Sequence, residues 1–324
     1  MQAVVRDRYG EVDVVAVRDI EAPVPGDSDV LIRVRAAGVE PGVWHMMTGR
    51  PYLVRVIGFG LRAPKVKVLG RDVAGIVATV GKDVRQFQPG DKVFGTVDGS
   101  FAEFACADAA GFALKPGNLT FEQAAAAPIS GMTALVAVRD RGKLQPGQRV
   151  LVAGAGGGVG SFAVQLAKAM GAHVTGVCSA SKGDLVRSIG ADEIIDYARD
   201  DFTDGTRQYD LIIDTAGRRP LTRLRRCLTT DGALVIVGGE GGGRWLGRFQ
   251  RQLLAPLRSI RRQQKLIGLM FSETQDLLQA LTEAIEAGKV TPIIDRTYPL
   301  SQAADAIRHL EQGHTAGKVV LTVA

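Results

Sequence analysis

Over residues 2 to about 115, apolar and polar positions alternate in short, β-branched runs: AVVRD, VLIRVRAAGV, VAGIVATVG, DKVFGTV and FAEFACA. Turn residues separate them, most clearly Pro23-Val24-Pro25-Gly26. The period of two predicts the strands of an irregular β-barrel, with no run of helical period. From Phe121 the sequence becomes alanine-rich, and EQAAAA before Pro128 predicts a helix that Thr120 or Glu122 can start. A second helix is expected from Met132 to Arg141, and this helical passage is the expected crossing between two domains.

The pattern changes at Arg149. An apolar run, Val150 to Ala153, meets a burst of glycine, and apolar residues then recur at helical spacing through Phe162, Val164, Leu166, Ala167 and Met170. Gly171 stops the helix, and His173 to Val177 follows as another strand, so the stretch reads as one βαβ unit. A helix near Lys182 to Ile189 comes next. Strands are expected at Glu193–Tyr197, Asp210–Asp214, Ala233–Val237 and Leu266–Met270, with a helix over Pro220–Leu228. Six strands with such connections predict a doubly wound parallel sheet, whose ligand lies outside the carboxyl ends of the strands. Beyond Thr274 the pattern gives a helix, a Tyr298-Pro299-Leu300 link, a helix from Gln302 to Leu310 and a last strand, Lys318 to Val323.

The glycine burst is the main chemical signal. The dinucleotide spacing falls on Ala155, Gly157 and Gly160, with alanine in the first glycine slot, and Gly154, Gly156, Gly158 and Val159 complete the turn. Glycine lets the backbone approach a pyrophosphate, and the free N–H groups of the new helix face its charge. The strand-turn-helix context raises this above a bare motif match.

Composition adds bounds. At 324 residues, 46% hydrophobic and 23% charged, the chain reads as an ordinary globular protein of two domains. Cys106, Cys178 and Cys227 form no CxxC pair, which predicts neither a disulfide framework nor a structural zinc lobe, and a reducing, cytoplasmic setting. No charged leader precedes the first strand. Charge is uneven: six basic residues and no acid lie between Glu40 and Asp72, and seven with no acid between Glu240 and Glu273. Setting those thirteen aside leaves 27 basic residues against 34 acids, so the net +6 is local.

The ordered set PxPxxxDVLIRVRAAGV, LGRDVAGIVATVG, PGDKVFG, FAEFA, PISGMTAL, GQRVLVAGAGGGVG, DLIIDTAG and GKVVLTV resembles the medium-chain dehydrogenase/reductase superfamily over essentially the whole chain. The nucleotide turn is similar to that of its zinc-independent quinone-oxidoreductase branch. This resemblance implies an α/β fold: a GroES-like β-barrel domain over 1–125, completed by 273–324, and a Rossmann NADP-binding domain over 126–272.

Zinc-using members carry a cysteine near Ala37-Gly38-Val39 and Gly-His-Glu where this chain has Gly70-Arg71-Asp72. Glu40 stands in the first place, Arg71 cannot coordinate a cation, and His45 alone makes no site, so no metal is expected. The strand before Cys178 is followed by Ser179-Ala180-Ser181-Lys182, with no acid until Asp184. Hydroxyls and an ammonium suit a 2′-phosphate, which predicts NADPH. The resemblance gives the same role to Lys182 and Tyr197, although a helix-start lysine and a packed strand-end tyrosine are the plain alternatives. It sets Thr133, Ala216-Gly217, Gly238-Gly239 and Phe271-Ser272 around the nicotinamide, with Thr133 equally able to cap a helix turn.

On the substrate side Glu40 replaces an asparagine frequent in the family, and Tyr52 matches a family tyrosine. The implied reaction is hydride delivery to an apolar electrophile such as a quinone, enone or enal, with water, Tyr52 or Glu40 supplying the proton. The family implies a homodimer. The basic stretches interleave with large apolar residues, which suits either ordinary walls or a rim on an anionic lipid surface. An enoyl-thioester reductase and a non-enzymatic NADPH or nucleic-acid binder stay open as alternatives, but no stacking-aromatic motif supports specific nucleic-acid recognition.

Overall fold

The computed structural model describes residues 1–238, 245, 247, 250–252, 255 and 263–324. They form two compact units: Met1–Met132 with Glu273–Ala324, and Thr133–Ser272.

The first unit is built mainly on antiparallel strands, with one parallel pair at the C-terminal edge. β1 (Gln2–Val5) and β2 (Ala16–Asp19) pair as a small ribbon. β3 (Asp29–Val39), β4 (Asp72–Val80), β5 (Lys92–Thr96), β6 (Phe104–Asp108) and β7 (Phe112–Leu114) belong to a larger sheet. The C-terminal strands β14 (Ile294–Pro299) and β15 (Lys318–Thr322) complete it in the order β14-β15-β3-β4-β5-β7, with β6 also on β3. Alternate side chains point inward, so Val34, Phe101 and Leu321, each 0% exposed, share one core with Met47. Three helices accompany the unit, α1 (Pro41–Thr48), α2 (Phe121–Ala125) and the start of α3 (Pro128–Leu135).

The second unit is a six-stranded parallel sheet. Its strands are β8 (Arg149–Ala153), β9 (His173–Cys178), β10 (Glu193–Asp196), β11 (Tyr209–Asp214), β12 (Leu228–Ile236) and β13 (Lys265–Gly268). They run in the order β10-β9-β8-β11-β12-β13, every neighbouring pair parallel, which is the doubly wound order expected from the sequence. α4 (Gly158–Ala169), α5 (Gly183–Ser188) and α6 (Leu221–Arg226) connect them. Leu151, Ile212 and Leu234 are 0% exposed at its centre. The chain then re-enters the first unit, where α7 (Gln275–Glu286) precedes β14 and α8 (Ala303–Glu311) lies between β14 and β15.

Several boundaries differ from the sequence reading. The barrel region does hold a helix: Glu40 caps α1, Pro41 occupies its first turn and Gly49 ends it at φ +58°. These are regular helix signals, hidden because Pro and Gly there read as strand punctuation. The second alanine-rich helix starts at Pro128, not Met132, and continues as a wider π-type turn over Val136–Arg141. Tyr298 and Pro299, read with Leu300 as a link, end an edge strand, Ile294–Pro299, whose half-exposed side chains blur the apolar alternation.

A buried ion pair ties the first unit together. Asp72 is 0% exposed at the start of β4; its Oδ2 accepts from Lys318 Nζ of β15 at 3.0 Å, and Oδ1 accepts from Ile129 N of α3 at 2.9 Å. Gly38 of β3 lies between, and a β-carbon there would stand 2.8 Å from Asp72 Cβ and 2.5 Å from the Ala125 carbonyl oxygen. Removing one partner of such a pair leaves an uncompensated charge in low dielectric. Lys318→Met is expected to cost about 3–5 kcal/mol in denaturant unfolding, and Asp72→Asn added to it to restore most of that stability. Equal stability of wild type and Lys318→Met would contradict this.

Candidate nucleotide site and acid cluster

In the second unit, the glycine turn is shaped by close approaches that exclude side chains. Gly154 has φ +85°, and a β-carbon on it would overlap Thr215 Oγ1. One on Gly160 would overlap the Gly154 carbonyl oxygen, so α4 can begin against the end of β8 only with glycine there. Ala155, 0% exposed, fits the first fingerprint slot because Gly176 on β9 faces it; a β-carbon there would come within 3.2 Å of Ala155 Cβ. Gly157 is the N-cap of α4 and makes no side-chain capping bond, and Gly158 and Val159 begin the helix half-exposed. The turn therefore presents backbone N–H groups, the chemistry a pyrophosphate requires.

Beside it, the residues after β9 form a single-turn helix over Ala180–Lys182. Ser179 Oγ and Ser181 Oγ are 3.0 Å apart, and Lys182 N donates to Ser179 O. The aliphatic part of Lys182 lies over the glycine turn: a β-carbon on Gly156 would stand 2.8 Å from Lys182 Cδ. Ser179, Ser181, Lys182 and Gly156 thus form one surface. Asp184, the first acid, is fully exposed and pairs with Arg187 at 3.2 Å. Tyr197 follows β10, with its N–H bonded to Cys178 O and its side chain 44% exposed, so it is not buried against the sheet.

At the next strand ends, Ala216 and Gly217 follow β11, and a β-carbon on Gly238, two residues past β12, would stand in ordinary contact with Thr215 O. Phe271 is half-buried and Ser272 exposed, both shortly after β13. Thr133 is half-buried within α3. Gly239 lies outside the described residues, as do most of the cations between Glu240 and Glu273. The sequence reading names Asp214 at a strand end and Arg251 in the second basic stretch but misses their pairing, and it misses Gly176. Gly176 could have been noticed as a glycine inside an otherwise β-branched strand.

In the first unit Glu40 is 6% exposed. Its Oε2 accepts from Gly42 N at 2.6 Å, capping α1, while Oε1 is buried with no partner among the described residues. Burial raises its carboxyl above the ordinary glutamate value, opposed by Lys318 and reinforced by Asp72. Tyr52 lies elsewhere: Arg55 stacks between Tyr9 and Tyr52, 4.3 and 4.8 Å from their ring centroids, and donates to the last carbonyls of α1. Glu40 therefore groups with Asp72 and Lys318, and Tyr52 with an arginine clamp.

The positions that hold zinc ligands in other members do not fit a metal. Both Asp72 oxygens are engaged, Arg71 pairs with Glu273 at 3.2 Å and Asp98 at 3.5 Å, and His45 Nδ1 is bonded to Arg50 O at 2.6 Å. Among the described residues no cluster of three or more His, Cys, Asp or Glu could hold an ion. No described helix is long and apolar enough to cross a membrane.

A parallel sheet carrying a glycine turn, joined in one chain to a β-rich unit with buried acids, defines a two-domain nucleotide-dependent oxidoreductase. Family models for an alcohol dehydrogenase GroES-like domain and a zinc-binding dehydrogenase match residues 26–117 and 189–321. The chain is 32% identical to the mitochondrial NAD(P)H oxidoreductase RTN4IP1 of Mus musculus, covering 100% of this chain and 89% of that protein. It is 33% identical to the chloroplastic NADPH-dependent alkenal/one oxidoreductase of Arabidopsis thaliana, over 99% and 79%. The quinone oxidoreductase of Coxiella burnetii superposes with a TM-score of 0.87 at 28% identity, over 100% and 99% of the two chains. The chain belongs to the medium-chain dehydrogenase/reductase superfamily, in its quinone-oxidoreductase-like branch.

The raised Glu40 carboxyl gives a stability test. The folded state holds this proton more tightly than the unfolded chain, so wild-type stability should fall relative to Glu40→Gln as pH rises above 4.5. Gln can still accept from Gly42 N. Denaturant titrations of both proteins across pH check this, and wild-type stability that stays level or rises relative to Glu40→Gln over that range would contradict it.

Proposed function

We infer that the protein is an NADPH-dependent oxidoreductase that reduces a small apolar electrophile, a quinone or a conjugated enone or enal. The observation that carries the cofactor choice is Lys182 folded over Gly156 beside Ser179 and Ser181, with the first acid turned to Arg187. That surface offers one cation and two hydroxyls to a 2′-phosphate and no carboxylate to a free ribose hydroxyl. Bound NADPH supplies the hydride. Gly154–Gly160 would hold the pyrophosphate, Tyr197 would flank the adenosine, and Thr133, Ala216, Gly217, Gly238, Phe271 and Ser272 the nicotinamide half.

Zinc independence is part of this proposal, supported by the engaged state of Asp72, Arg71 and His45. Without a Lewis acid the acceptor must already be electron-poor, as quinones and enones are. Water, the Tyr52 hydroxyl or Glu40, whose carboxyl burial raises above the ordinary glutamate value, would supply the proton, and positioning would carry most of the rate effect. We further propose a homodimer, from the family resemblance, and a reducing cytoplasmic setting, from the three unpaired cysteines.

Contact with an anionic lipid surface is also proposed, on a narrower footing than the sequence suggests. Arg50, Arg55, Lys67 and Arg71 already have partners within the first unit. Among the described residues of the first basic stretch, the exposed cations left are Arg62 and Lys65, in the same segment as Val56 and Leu61, 69% and 68% exposed. Two exposed cations give weak, salt-sensitive binding. Sedimentation should show more protein on vesicles of phosphatidylserine mixed with phosphatidylcholine than on phosphatidylcholine alone, and the excess should vanish in Arg62→Gln/Lys65→Gln. Equal sedimentation with both vesicles would remove the idea.

Steady NADPH consumption in the presence of chelator, screened over quinones, enones and enoyl thioesters, tests the function and ranks its substrates. In that assay Lys182→Ala should raise KM for NADPH about tenfold, from lost charge-assisted bonds, and leave KM for NADH unchanged. Parallel effects on both cofactors would contradict the 2′-phosphate reading.

A further inference from the structure

One arginine of the second basic stretch is not a surface charge. Arg251 lies in the helical segment Gln250–Gln252, its side chain 16% exposed. Its Nη2 donates to Asp214 Oδ2 at 2.8 Å and to the Arg219 carbonyl at 2.9 Å. Asp214, 1% exposed, is the last residue of β11, and its Oδ1 accepts from Gly217 N at 2.8 Å. A single guanidinium nitrogen therefore joins both ends of the turn 214–219. The next residue, Gln252, donates Nε2 to Val237 O at 2.9 Å, one residue beyond β12. Two consecutive side chains grip the ends of two adjacent strands.

That turn borders the glycine turn. Thr215 donates from N and Oγ1 to Ala153 O, at 3.1 and 2.8 Å, and its hydroxyl fills the space that a side chain on Gly154 would need. Gly217 sits at φ +64°, held there by the Asp214 carboxylate. A buried carboxylate can shape a turn in this way only while a cation compensates it. Without Arg251, Asp214 would have to take up a proton or turn toward water, and either change loosens Thr215–Gly217.

We propose that Arg251 is a positioning residue for the nucleotide: through Asp214 it fixes Thr215–Gly217 in the shape that receives the nicotinamide half. The proposal rests on the NADPH reading above. It separates the two halves of the ligand, because the Ser179–Lys182 surface that takes the 2′-phosphate makes no bond to Arg251 among the described residues. An arginine-to-lysine change keeps the cation but loses the planar fork, so it should restore only part of the effect.

Calorimetric titration of wild type, Arg251→Gln and Arg251→Lys with NADPH, and with adenosine 2′,5′-bisphosphate as a probe of the adenosine half, tests this. Arg251→Gln should bind NADPH about tenfold more weakly and the bisphosphate within about twofold of wild type, with Arg251→Lys between. Equal loss for both ligands, or unchanged NADPH affinity in the folded variant, overturns the proposal. Should Arg251→Gln not fold, Arg251→Lys decides alone: loss confined to NADPH supports it, and wild-type affinity for NADPH overturns it. Failure of the wild type to bind either ligand would overturn the NADPH reading as well, and is recognisable because no variant is involved.

Discussion

The structure of the second unit depends on one close approach: the start of α4 lies so near the end of β8 that the Gly154 carbonyl oxygen occupies the place of a side chain at residue 160. Everything at that edge of the sheet follows. With glycine at 160 the helix starts directly above the strand, with glycine at 176 the neighbouring strand admits Ala155, and with glycine at 154 the Thr215 hydroxyl fits beneath the turn. The outcome is that α4 begins at this edge of the sheet, and the N–H groups of its first turn, which lack an intrahelical acceptor, are the donors that a polyphosphate would use there.

The two units treat buried charge in different ways. In the first, Asp72 is matched to Lys318 and to a helix N–H, while Glu40 is left with one oxygen unmatched and burial raises its carboxyl above the ordinary glutamate value. In the second, Asp214 is matched to Arg251 and shapes a turn. A buried carboxyl raised above the ordinary glutamate value and an ion pair with both carboxylate oxygens engaged stand where zinc-using members keep metal ligands, which supports the proposed chemistry without a Lewis acid.

Much of this was legible in the sequence, and the reason is locality. The glycine turn, the hydroxyls and lysine after β9 and the alternating strands are patterns within a few residues, each with its own physical cause. Helix α1 was missed although Glu40, Pro41 and Gly49 all signal it, because eight residues with one buried face do not establish a period. The pairs Asp72 with Lys318 and Asp214 with Arg251 join residues 246 and 37 positions apart. No spacing rule reaches that far, so a buried cation in a strand or an arginine in a basic run reads as a solvated charge until the fold brings its partner beside it.

The central claim is that the edge of the sheet next to Gly157 takes a nicotinamide nucleotide and recognises its 2′-phosphate. Side-by-side calorimetric titration of the wild-type protein with NADPH and NADH at the same ionic strength tests it most directly. Saturable binding of NADPH with clearly weaker binding of NADH is the expected result. Equal affinity for the two, or heat from neither, would contradict it.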